Sequence, residues 1–150
     1  VSHERNFSIE KSLITTKLSK LREYQRFLKE LQATSIEDLT GDFKTRGAVE
    51  RYLQVSIECI VDICNEIISS IQLQRPERYR DIPYILAKAE IIPKTFAETM
   101  ASMIGFRNLL VHDYASINLN LVHEFLQTKL PDFNAFIKYI AKWLDRKTQG

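Results

Sequence analysis

Within GFRNLLVHDY, residues 105–114, the polar side chains Arg107, Asn108, His112 and Tyr114 interrupt an otherwise apolar run. A neutral imidazole that titrates near its working pH can accept a hydroxyl proton, and a guanidinium can hold phosphate oxygens together with the negative charge that grows on them. Those two groups suit scission of a phosphodiester that has a neighbouring 2′-hydroxyl. Because the nucleophile is internal, the first step needs neither a metal nor a water molecule. It would leave a 2′,3′-cyclic phosphate and a free 5′-hydroxyl, and DNA, lacking the 2′-hydroxyl, would survive.

Spacing constrains this chemistry. Five helical positions turn the chain by roughly 500°, so Arg107 and His112 on a straight helix point about 140° apart. They can serve one site only if the backbone bends after Leu110 or if a second subunit contributes, and a two-fold dimer would double both groups in one cleft. Asn108 and His112 are four residues apart and share a face. A structural alternative stands beside this reading: Arg107 caps a helix end or pairs with Asp62, and His112 is an ordinary histidine. His3 and His123 have no comparable neighbours and read as structural.

The elements that must position these groups are helical. The chain has 150 residues, 45% of them hydrophobic and 27% charged, with only four Gly and four Pro, a balance that argues against disorder and against a turn-rich sandwich. In SIEKSLITTKLSKLREYQRFLKEL, Ile14, Leu18, Leu21, Tyr24, Leu28 and Leu31 recur at steps of three and four, which predicts an amphipathic helix starting at Ser8. ATSIEDLTGDFKTRG is a connection with a short helical turn begun by Ser35. The run from Ala48 to Ile71 is apolar over most of its circumference and should be the central helix of a bundle. Its polar residues form one stripe at steps of four, Glu50, Gln54, Glu58, Asp62 and Glu66. That stripe is either a solvated face or, at Glu58 and Asp62, the lining of a cleft or subunit interface facing Arg107.

QRPERYRDIP reads as a loop, followed by a short helix ended by Pro93 and a third long helix from Thr95 to Leu110. Asn118 or Asn120 starts a shorter helix, and Pro131 sits in the first turn of the last one. The expected architecture is an all-α antiparallel bundle with short additional helices in a single domain, with residues 1–7 a disordered N-terminal segment.

Charge and cysteines narrow the function. A net charge of +2 is too small to hold nucleic acid by charge alone, so any RNA contact must be local. Cys59 and Cys64, the only two cysteines, also lie about 140° apart on a helix and read as buried intracellular thiols rather than metal ligands. No apolar run has the length of a membrane span, and VSHERNF lacks the features of a signal peptide, so the chain is expected in the cytoplasm.

FRNLLVHDY resembles the signature of the HepT toxins of the HEPN superfamily, the partners of MntA-type minimal nucleotidyltransferase antitoxins. AVERYLQVSIECIVDICNEII is similar to that family's second helix and AEIIPKTFAETMASMIGFRNLLVHDYASIN to its motif region, so the likeness covers roughly residues 8–146. The resemblance implies a HEPN-type helical fold, a homodimer with the motif at the subunit interface, and RNase activity that needs no metal or other cofactor. It implies Arg107 and His112 as the catalytic pair, Asn108 as their support, and Tyr114 as the hydroxyl to which the antitoxin transfers AMP from ATP. A second class of function is carried beside it: a non-catalytic helical subunit that binds a minimal nucleotidyltransferase.

Overall fold

Two short polar side chains reverse the chain between its longest helices. The structure, a computed structural model, describes the backbone of residues 2–112 and 118–149 and side chains from residue 10 to 112 and 118 to 148. Helix α1 spans Ser2–Leu31, α2 Ile36–Gly41 and α3 Phe43–Ser70. Ser35 Oγ accepts the Asp38 backbone N–H at 3.1 Å and starts α2, as its residue type predicts. Asp42 then closes α2 and opens α3, accepting from the Lys44 backbone N–H at 3.1 Å and from Thr45 Oγ1 at 2.8 Å. The Thr45 hydroxyl, and after it the Lys44 N–H, hold the Asp42 carboxyl below its ordinary pKa.

The caps move the boundaries read from sequence. α3 begins at Phe43 rather than Ala48, because a satisfied first turn at Asp42 outweighs the low helix propensity of Gly47. α1 begins at Ser2, so Ser8 lies inside it and the expected 1–7 segment overlaps its first turns; SHERNF contains no Gly or Pro to stop a helix.

α3 is the centre of the bundle. Leu53, Ile57, Ile60, Ile63, Cys64 and Ile67 are fully buried and point to several sides of its axis, so other elements must surround it. Ile14, Leu18, Leu21 and Leu28 of α1 share its core. α7, Leu130–Gln149, runs antiparallel to α1: Lys11 is bonded to Thr148 near the C-terminus of α7, and at the other end of α1 Gln32 is bonded to Gln127, at the end of the preceding helix that leads into α7. Between these lie α4, Ile82–Lys88, α5, Lys94–Val111, and α6, Leu119–Thr128. The described chain is thus an all-α bundle without strands, as composition and periodicity require, and no described helix is long and apolar enough to cross a membrane.

Two helices end on non-glycine residues in the left-handed region. At the end of α3, Gln72 has φ 55° and the Leu73 N–H reaches Ile68 O at 2.9 Å. At the end of α4, Glu90 has φ 61°, and the Ile91 N–H reaches Leu86 O at 2.9 Å. α4 therefore stops at Lys88, ahead of Pro93: the apolar pair Ile91 and Ile92 turns back into the core, and the reversed backbone satisfies the last carbonyls. Cys59 and Cys64 are free and buried, and Cys59 Sγ lies 3.2 Å from Lys17 O. Burial first, and the Asp62 charge second, push the Cys59 thiol up to about 11, and burial pushes Cys64 up further.

Glu90→Gly should raise stability by about 1 kcal/mol in urea denaturation, since glycine adopts a left-handed C′ position without strain. Cys59 ionises in the folded protein only well above its ordinary pKa of 9.0, so its contribution to stability is intact below pH 9 and fades as pH rises toward about 11. At pH 8 the native protein should accordingly resist iodoacetamide, and urea should expose both thiols to rapid alkylation, as mass spectrometry would read.

Candidate functional site

The polar residues of the motif sit on the last turns of α5. That helix runs unbroken through Val111, and His112 is its C-cap, with φ −91° and its backbone N–H on Asn108 O at 3.1 Å. The chain does not bend after Leu110, so within one copy Arg107 and His112 leave the helix on different sides. Arg107 is partly buried, while Asn108 and His112 are exposed. Tyr114 lies outside the described residues.

Two contacts fix the rotation of α5. On one side Phe106 stacks on Phe125 of α6 with ring centroids 4.0 Å apart and planes 13° from parallel, and Phe125 in turn meets Phe133 of α7 edge-on at 6.2 Å. On the other, Arg107 Nε donates to Glu58 Oε1 at 3.1 Å, with both side chains about one third exposed at 32% and 34%. Glu58 is itself braced by Gln54, whose Nε2 donates to the same oxygen at 3.1 Å. The carboxylate facing Arg107 is thus Glu58, one helical turn from the Asp62 considered as its structural partner. Glu58 engages only the Nε edge, and the terminal Nη groups of Arg107 bond no described residue.

Around this pair is a surface cavity of about 340 Å³, at the small end of ligand pockets. Glu58 and Asp62 of α3, Gly105, Arg107 and Asn108 of α5, and Tyr79 and Arg80 line it. A Cβ added at Gly105 would meet no atom within 4 Å, which leaves that wall bare. Two carboxylates and two guanidiniums give it nearly balanced charge, with Arg107 the cation already oriented by a carboxylate. Sequence reasoning brought together Glu58, Asp62, Arg107 and Asn108 and missed Tyr79 and Arg80, which sit in the segment read as a loop. His112 is not among the described walls. Among the described residues no cluster of three or more His, Cys, Asp or Glu side chains could hold a metal ion.

The bundle has the fold of HEPN toxins. A solved structure of the tri-AMPylated Shewanella oneidensis HEPN toxin in complex with its MNT antitoxin matches with a TM-score of 0.77 and 29% identity, over 86% of this chain and 96% of that one. A toxin–antitoxin structure with AMP-PNP matches with a TM-score of 0.79 and 28% identity, over 87% and 98%. The chain belongs to the ribonuclease HepT-like family, whose profile matches residues 14–140. It is 32% identical over 125 residues to the mRNA nuclease HepT of Shewanella oneidensis, covering 82% of this chain and 94% of that protein. The tRNA nuclease HepT of Aphanizomenon flos-aquae is 27% identical over 137 residues, 91% of this chain and 93% of that one.

An ion pair this exposed contributes little to folding, so a double-mutant cycle of Arg107→Ala and Glu58→Ala should give a stability coupling below about 1 kcal/mol. A coupling several times larger would mark the pair as a structural element of the bundle.

Proposed function

We propose that this chain is the toxin of a toxin–antitoxin pair, a metal-independent endoribonuclease that acts in the cytoplasm as a homodimer and is silenced by AMP transfer to Tyr114. The observation that carries the reading is the state of Arg107: Glu58 ties its Nε edge, and its guanidinium lines a cavity where, among the described residues, its terminal amines have no partner, as suits a phosphate-binding group. Membership of the ribonuclease HepT-like family supports the substrate class.

In the reaction His112 takes the proton of the 2′-hydroxyl, and that oxygen attacks the adjacent phosphorus. The bond from phosphorus to the 5′ oxygen breaks, and the leaving oxygen takes up a proton. Arg107 holds the charge that builds on the phosphoryl oxygens, Glu58 keeps the guanidinium aimed, and Asn108 and Asp62 shape the rim. Because α5 is straight through Val111, the imidazole that meets a given Arg107 comes from the second copy. Val111 within the motif and Leu121 beyond it, each 40% exposed, supply apolar surface for that contact.

The partner is an MntA-like nucleotidyltransferase. The Tyr114 oxygen attacks the α-phosphorus of ATP and pyrophosphate leaves. The adenylyl group adds bulk and negative charge where RNA must enter, which explains inhibition without unfolding. A tri-AMPylated relative in complex with its antitoxin supports this regulation.

Unmodified protein incubated with total RNA in excess EDTA should leave fragments ending in 2′,3′-cyclic phosphates, and His112→Ala should lose on the order of 100-fold or more of that rate. Equal cleavage by His112→Ala would refute the catalytic assignment. No cleavage by either protein, with mass spectrometry finding Tyr114 free of AMP, would instead identify a subunit that binds a nucleotidyltransferase without cutting RNA.

A further inference from the structure

The segment between α3 and α4 carries Arg75, Arg78, Tyr79 and Arg80. It is held in place. The Asp81 N–H donates to Arg78 O at 3.0 Å and the Arg78 N–H donates to Asp81 Oδ2 at 3.1 Å, closing a one-turn 3-10 helix, Tyr79–Asp81, that packs on both α4 and α5. On this mount Tyr79 is 60% exposed, a large aromatic residue left in water. Two cavities meet at the ring: the one of about 340 Å³ that contains Arg80 and Arg107, and one of about 650 Å³ whose walls include Asn65, Ser69, Arg75 and Arg78. Among the described residues, Arg75, Arg78 and Arg80 form no ion pair.

We propose that Tyr79 is a stacking platform for a nucleobase of single-stranded RNA, with Arg78 and Arg80 holding the phosphates on its two sides as the strand passes toward Arg107. This deepens the ribonuclease reading and rests on it. Single strands are gripped by alternating aromatic faces and cations, because every base has a π-face and every linkage a charge. Arg-Tyr-Arg on one rigid turn supplies that alternation. The concave, arginine-bearing ground on both sides of the ring suits a strand better than a flat apolar partner surface, and the cavity on one side contains the guanidinium assigned to the scissile phosphate. A nearly neutral chain can thereby bind RNA locally, without an extended basic face.

The test measures binding, not cleavage, in a His112→Ala background. Tyr79→Trp places a reporter on the platform, and the native Trp143 is buried, only 4% exposed. Titration with a short single-stranded oligoribonucleotide should quench the reporter, and the same strand made abasic throughout should not. Tyr79→Ala should weaken binding about tenfold and Tyr79→Phe should restore it, since stacking uses the ring and not the hydroxyl. Arg78→Ala and Arg80→Ala should each lower the slope of log affinity against log salt by about one. Unchanged RNA affinity in a folded Tyr79→Ala protein would overturn the proposal, as would loss of the antitoxin complex or of the dimer with RNA affinity intact. Quenching by RNA in a protein whose wild type cuts no RNA would keep the platform and overturn the ribonuclease reading alone.

Discussion

A helix that is apolar on nearly every side must be enclosed, and the enclosure of α3 is the constraint on which the rest of the structure depends. Its buried residues, from Val49 to Ile68, need α1 along one flank and α4, α5 and α6 along others. What α3 cannot bury is a narrow row of polar side chains, and that row lies where the enclosure is incomplete. Glu58 and Asp62 open into the gap between α5 and the turn at Tyr79, so the cavity follows from the core's geometry. A carboxylate one third exposed there costs little desolvation and gives a neighbouring guanidinium something to lean on.

The orientation of α5 is decided from two directions. Phe106 is drawn toward the aromatic stack with Phe125 and Phe133, and Arg107, the next residue, is turned toward Glu58. Adjacent residues on a helix diverge by about 100°, so both contacts are met at once and neither leaves α5 free to roll. The same rigidity keeps His112 on another side of the helix. A straight, well-anchored helix thus separates the two groups that the proposed chemistry must join, and two-fold association is the simplest geometry that reunites them.

Control by a covalent group fits a site of this kind. The two carboxylates and two guanidiniums of the cavity nearly cancel, so in the proposed reading one added phosphate nearby would tip its balance against a polyanion. Solved relatives with this fold are bound to antitoxins, and one of them is AMPylated.

The sequence by itself determined the helical class, the central role of α3 and the polar concentration at Arg107, Asn108 and His112, because the spacing of apolar residues states which face of each helix must leave water. FRNLLVHDY also sufficed to point to the HepT-like family, to which the chain belongs. Helix ends were less legible: the Asp42 cap and the reversal at Glu90 depend on backbone bonds that compete with propensity, and they moved the boundaries at Ala48 and Pro93. Only the tertiary structure decided that Arg107 meets Glu58 rather than Asp62, and that Tyr79 and Arg80 share its cavity. Periodicity is local, within one helix; the turn of α3 that faces a given turn of α5, and the loop that closes over both, follow from how whole helices pack.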